Sequence, residues 1–588
     1  MNRFCRLSLA ILCLLLLAGC SVSPSEMLFS WTGEEELPGQ LYGTYQLAGN
    51  LLRPGPQTAD YAPVAHAGLN PFGINVFLEQ EVELEKREQV VRMVAAAGFY
   101  WIRQEFPWED IEIHGRGDFV DRRNDLDGDG QVDAVDAWAK YDHIVDLAGQ
   151  YGLQLIVRLS NPPAWSRADG DARGTYAPPD DPADYGNYVY AVVSRYRGRI
   201  RYYQLWNEPN IYPEWGEQPV DPAAYTQLLC EGYRRAKEAD PNAVIVSGAL
   251  AQTISFEPGP GPGTGLSDLV FLQRMYDAGA ANCFDVLAVN DYMLWSGPTD
   301  HRLPPAHVIN FNRPLYLRDV MVANGDAHKP IWISEMNSNA VPNDPAIQDV
   351  GRYGQVTPDQ QARYAALAYQ RVMEEWPWAG VVNFWFFKRP SDAEANQSWY
   401  YFRMVEPDFA PLPVYDAMRE YTAALRPVLY PGTHQEDHWA LSYEGEWETA
   451  ASPDAVLGAY RAAGAGATLA FTFEGHRLTL TPGPGSGEIE VVVDDRAARR
   501  ISLTGQPVQL FASWAAGRHT VRITALSGSA GVDSLAVRQP NWGRRAACAG
   551  AMLLGIGGLA WIARRRRAYE CAGRQYRSAG SPSPTRRA

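Results

Sequence analysis

Tyr202-Tyr203-Gln204-Leu205-Trp206-Asn207-Glu208-Pro209-Asn210 opens as a short β-type run and closes on a polar turn that carries one carboxylate. Ile331-Trp332-Ile333-Ser334-Glu335-Met336 repeats that design 127 positions later. Six further runs of the same kind lie at Phe72–Phe77, Trp101–Arg103, Leu153–Leu159, Ala243–Ser247, Val286–Val289 and Val381–Phe386. Each is followed, after a loop, by a helix-like segment such as Arg87–Ala97, Ala223–Ala239 or Asp359–Glu375. Strands that alternate with helices predict βα units around a parallel sheet. Eight units predict an α/β fold, a (β/α)8 TIM barrel spanning residues 61–428. A doubly wound sheet is the competitor, but no Gly-rich phosphate loop follows the first strand.

In such a barrel, residues just past the C-terminal ends of strands line one mouth. Glu208 and Glu335, on the fourth and seventh strands, should therefore face a common cavity. A glycosidic bond needs an acid to protonate the departing oxygen and a second carboxylate at the anomeric carbon. Trp206-Asn207-Glu208-Pro209 with Glu335 resembles the signature of clan A of the glycoside hydrolases. The likeness is nearest to families 39 and 5 and spans roughly residues 68–425.

That resemblance implies a retaining glycosidase that cuts β-O-glycosidic bonds of extracellular oligo- or polysaccharides by double displacement. Glu208 would be the acid/base and Glu335 the nucleophile. It also implies that Arg103 bonds the nucleophile and that Asn207 donates to the sugar 2-hydroxyl. Asn290-Asp291-Tyr292 matches the family's His-x-Tyr pattern, with Asn290 where many members carry histidine and Tyr292 directed at Glu335. Trp385 corresponds to the aromatic floor of the sugar subsite. Trp108, Trp165, Trp206, Trp215, Trp295 and Trp399 fall in or beside the crowning loops, where indoles suit the C–H faces of pyranoses. Two other functions use the same features: a non-catalytic surface carbohydrate-binding protein, and a transglycosidase.

Residues 125–136 suggest a cation. Asp125, Asp127, Asp129, Asp133 and Asp136 stand at loop positions 1, 3, 5, 9 and 12, with Gly130 at 6 and the carbonyl of Gln131 at 7. This is EF-hand spacing for Ca2+, similar to the dockerin variant with Asp at the last position. The ion would be structural, with no cofactor for catalysis.

Beyond residue 428 the period changes to two. Leu469, Phe471 and Phe473, then Leu478 and Leu480, then Ile489, Val491 and Val493 alternate with polar neighbours. Turns such as Pro482-Gly483-Pro484-Gly485 separate them, which predicts a β-sandwich over 429–540. Gly445–Gln539 resembles the jelly-roll, carbohydrate-binding-like modules that trail bacterial glycosidases. A spacer and a sugar-binding module both fit it.

Both ends read as membrane signals. Residues 1–20 form a lipoprotein-type signal peptide, with Leu17-Ala18-Gly19-Cys20 resembling a lipobox, and 21–60 read as a linker. Ala546–Ala563 is an uncharged run of 18 residues, about 27 Å as a helix, enough for one transmembrane helix. Arg564-Arg565-Arg566-Arg567 opens a basic tail over 564–588 that the positive-inside rule places in the cytoplasm. The expected location is the extracellular face of a bacterial cell membrane. The net charge of −16 hides a tail of ten arginines and one acid, so the rest stands near −25. Such a surface repels phosphate backbones and excludes nucleic acid as a partner. In the exported body only Cys230 and Cys283 remain, as a disulfide or as two buried thiols.

Overall fold

The computed structural model describes residues 23–50, 53–125, 128–257, 259 and 261–540. Eight strands form one parallel sheet: β1 Phe72–Val76, β2 Trp101–Pro107, β3 Gln154–Ser160, β4 Tyr202–Asn207, β5 Val244–Ala249, β6 Leu287–Asn290, β7 Ile331–Met336 and β8 Ala379–Phe384. Their order is β5-β4-β3-β2-β1-β8-β7-β6. The parallel bridges Val246–Val286 and Leu250–Val289 join the two ends, so the sheet closes into a barrel.

Side chains on a strand alternate, so every second residue points inward. Trp101, Tyr202 and Trp332 plug the lower end, with ring centroids 5.1–5.8 Å apart. Ile156, Val244, Val246, Val286, Ala288 and Val381 complete that apolar layer. Two positions further along their strands stand Arg103, Gln204 and Ser334, all buried and all polar. The interior thus turns from apolar to hydrogen-bonded within one repeat of the pleat.

Helices cover the outside. The helix Pro222–Ala239 starts where Asp221 accepts from the backbone N–H groups of Ala223 and Ala224, with Pro222 at the first position, where no donor is needed. It buries Tyr225, Leu228, Leu229 and Ala236 against the barrel. Its Cys230 is bonded to Cys283, with Cα atoms 4.6 Å apart, which decides between the two readings of that pair.

The expected linker over 21–60 needs correction. Pro24–Thr32 and Leu37–Asn50 are helices. The first begins with a capping box in which Ser23 and Glu26 each bond the other's backbone N–H. Both helices are fastened to the loop after β6. Gly297 N–H donates to the Gly33 carbonyl at 2.7 Å, and Arg302 donates to Glu34 at 2.7 Å and Gln46 at 2.9 Å.

After the barrel come antiparallel sheets of seven and three strands. Leu469, Phe471, Phe473, Leu478, Leu480, Ile489, Val491 and Val493 form a separate core there. Among the described residues no helix is long and apolar enough to cross a membrane. The signal peptide with Cys20, the run 546–563 and the basic tail lie outside the described residues.

Candidate active site

β4 delivers two side chains to the mouth by breaking its own alternation. Trp206 and Glu208 have φ values of 82° and 41°, in the left-handed region that bulky residues avoid. Each such residue costs on the order of 1–3 kcal/mol and persists where its surroundings over-determine it. Here the surroundings are visible. The Trp206 indole packs between Tyr185 and Trp215, at 5.8 and 5.5 Å, and donates to the Glu214 carbonyl at 2.9 Å. Glu208 N–H donates to the Ala249 carbonyl at 2.8 Å, tying the turn to β5. Asn207 and Glu208 are left facing the cleft.

Arg103 is the hub below them. Only 3% exposed, it donates to Glu335 Oε1 at 3.1 Å, Asn75 at 2.7 Å, Gln204 at 2.7 Å and Asn207 Oδ1 at 2.8 Å. A buried guanidinium is tolerable when its donors are met in this way. Burial lowers its pKa, and the charge of Glu335 acts against that. Tyr292 Oη donates to Glu335 Oε2 at 2.5 Å. Both oxygens of Glu335 therefore meet a donor.

Glu208 is treated differently. Its Oε1 accepts one hydrogen bond, from Asn290 Nδ2 at 2.7 Å. Burial, then the charges of Glu335 and Glu214, push its carboxyl well above the usual carboxylate range. Asn290 stands opposite Glu335 in the β6–β7 register, so the residue that holds one carboxyl abuts the strand position of the other. The two carboxyls therefore sit in different environments: burial and neighbouring charge disfavour the ionised form of Glu208, while donors meet both oxygens of Glu335.

Trp385 follows β8, half-buried, its ring edge-on to Phe77 at 5.7 Å and its backbone N–H donating to the Met336 carbonyl at 3.1 Å. The crowning tryptophans divide. Trp108, Trp206 and Trp215 are core residues, Trp165 and Trp399 are half-buried, and Trp295 is 66% exposed.

Three charged groups in the cleft wall carry no signal in the local sequence. Arg158 on β3 pairs with Glu105 on β2, and Ser160 donates to the same carboxylate at 2.7 Å. Glu214, on the loop after β4, accepts from Asn207 Nδ2 at 3.3 Å. Burial raises its pKa to about 7, opposed by Arg158 and the Asn207 bond and assisted by Glu335 and Glu105.

The 125–136 segment is a hairpin tip, closed by pairing of Val120–Asp121 with Val135–Asp136. Asp125 accepts from the N–H groups of Gly128 and Gly130 at 2.7 and 2.8 Å, and Gly130 has φ 88°, the sharp turn that such loops need. Asp129 accepts from Gln131 N–H at 2.8 Å and Asp136 from Trp138 N–H at 3.0 Å. Leu126 and Asp127 lie outside the described residues, and among those described no group of three His, Cys, Asp or Glu is placed to hold a metal.

No family model and no curated protein matches the sequence. Solved structures do resemble the chain. A family 39 glycoside hydrolase from Bacteroides cellulosilyticus WH2 is 18% identical over 80% of this chain and 81% of its own, with a TM-score of 0.45. The GH39 enzyme from Xanthomonas axonopodis pv. citri is 14% identical over 82% and 99%, with a TM-score of 0.42. GH5_18 from Streptomyces cattleya, in complex with GlcNAc, is 17% identical over 62% and 83%, with a TM-score of 0.44. Likenesses of this size assign neither a reaction nor a substrate to this chain.

Proposed function

We propose that the chain is a retaining glycoside hydrolase acting on β-linked oligo- or polysaccharides. One observation carries this reading: two glutamates from opposite parts of the chain meet at the barrel mouth with opposite hydrogen-bond environments. Glu335, gripped by Arg103 and Tyr292, would attack the anomeric carbon. Glu208, its pKa raised, would give its proton to the leaving oxygen and later take one from water. The glycosyl-enzyme ester would form on Glu335. A surface binding protein has no use for such a pair, and a transglycosidase would differ only in the acceptor.

Incubation with 2-fluoro aryl β-glycosides should add one sugar mass to a peptide containing Glu335. A label on another residue, or equal turnover of aryl β-glycosides by Glu335→Ala, would sink the mechanism.

Location outside the cell belongs to the same proposal, with anchoring by the two ends. The bonded Cys230–Cys283 pair supports it, since such bonds persist in oxidising compartments. Structural Ca2+ in the 125–136 hairpin, held by Asp125, Asp127, Asp129, Gln131, Asp133 and Asp136, is supported by the glycine turn and the spacing. A calcium chelator should then lower the melting temperature, and an unchanged one removes the ion from the proposal.

A further inference from the structure

Glu214 is a carboxylate beside Asn207 that neither role above uses. It is anchored from behind. Trp215 is buried against Trp206 and Tyr225, at 5.5 and 5.9 Å, and the Trp206 indole holds the carbonyl of Glu214 itself. The Tyr212 N–H donates to Thr264 at 3.2 Å and the Glu217 N–H to Arg173 at 2.6 Å, pinning both flanks of the loop. The side chain is half-buried. Among the described residues its carboxyl has one hydrogen-bond partner, Asn207.

That contact fixes the Asn207 amide. Arg103 can only donate, so Oδ1 faces it, and Nδ2 is left toward Glu214. Nδ2 has two protons and spends one on Glu214. A second donor and an acceptor therefore stand side by side, 3.3 Å apart, at the edge of the cleft. Their place is set by the guanidinium of Arg103, which touches both Asn207 and Glu335. Because Arg103 contacts both residues, a sugar seated with its anomeric carbon at Glu335 would turn the next ring carbon toward Asn207 and Glu214. A hydroxyl both accepts and donates, so it matches the pair. A hydrogen at C2 satisfies neither group.

We propose that Glu214 reads the substituent at C2 and selects glycosides with a free C2 hydroxyl, which donates to Glu214 while accepting from Asn207. The inference rests on the glycosidase reading above and adds a substrate class to it. Glu214 is then a specificity-determining residue beside the reacting pair.

The test uses the full-length protein in detergent with p-nitrophenyl β-glycosides. The sugar turned over best is compared with its 2-deoxy counterpart, for wild type, Glu214→Gln and Glu214→Ala. A hydrogen bond to a charged acceptor predicts that Glu214→Ala loses about 10- to 100-fold in kcat/KM on the 2-hydroxy substrate and little on the 2-deoxy one. Glu214→Gln, which keeps an acceptor oxygen, should fall between. The intrinsic reactivity of each glycoside cancels, because the same substrates are compared across proteins.

The wild-type preference for 2-hydroxy over 2-deoxy should also grow as pH rises through about 7, where Glu214 gains its charge. Arg158, Glu105, Tyr176, Glu208 and Glu335 interact with Glu214 electrostatically, and the 2-deoxy substrate serves as the control for effects that do not pass through the C2 contact. Equal losses on 2-hydroxy and 2-deoxy substrates overturn the proposal. Absence of turnover and of a Glu335 adduct with every glycoside overturns the catalytic reading beneath it, a separate and recognisable result.

Discussion

Trp101 and Arg103 stand two residues apart on β2 and face the same interior, yet they inhabit different chemistry. Around Trp101 the barrel is closed by tilted and edge-on rings of Tyr202 and Trp332. Around Arg103 every contact is a hydrogen bond, to Asn75, Gln204, Asn207 and Glu335. The lower layer gains from removing large apolar surfaces from water. The upper layer holds charges away from water and sets two residues, Trp206 and Glu208, in left-handed conformations above them. One end of the barrel supplies stability, and the other uses it to keep reactive groups in place.

The contrast can be broken most sharply at β7, which contributes to both layers. Glu335→Ala should reduce turnover of aryl β-glycosides by about 10,000-fold or more, as loss of a nucleophile does. Its melting temperature should fall by less than that of the apolar-layer variant, because Arg103 keeps Asn75, Gln204 and Asn207. Trp332→Ala, three positions earlier, should do the opposite. It should cost about 3–5 kcal/mol in urea unfolding while the folded fraction keeps its kcat/KM. If both variants lose stability and activity together, the layers are not separable.

A finer probe is Tyr292→Phe, which removes one donor from Glu335. A hydrogen bond to a charged group predicts a loss of about 10- to 100-fold in kcat/KM with the fold intact. The smallest effect concerns pH. Glu79, in the turn that follows β1, has its pKa raised to about 7, first by burial and then by Glu105. A raised carboxyl pKa means that folding favours the protonated form, so this group's contribution falls as pH rises from about 4.5 to about 7. Glu79→Gln carries no such charge. Its stability relative to wild type should therefore increase across that window, and a difference that stays flat or shrinks would remove the assignment.

The parts legible in the sequence were those written in local pattern. Eight β-type runs marked the barrel, and the two strand-end glutamates marked its mouth. Arg103 and Tyr292 each donate to Glu335. Other parts were not legible because they depend on closure of the barrel. β2 runs on to Pro107, well past Arg103, with Glu105 beside its register partner Arg158 on the neighbouring β3, and a charged residue there reads as loop until its partner is known. Asn290 serves Glu208, which only the packing of β6 beside β7 decides. Glu214 reaches the cleft by a loop path that no periodicity encodes. The Ser23–Glu26 capping box was written plainly, but polar and glycine-rich neighbours masked the helices that follow.

Those two amino-terminal helices have a mechanical consequence. They clasp the segment from Gly297 to Arg302, and that segment continues directly from Tyr292, the hydroxyl that steadies Glu335. A chain trimmed at residue 60 would keep all eight strands and both glutamates but lose this clasp. Its crown would be free to sway where the chemistry is most sensitive to position.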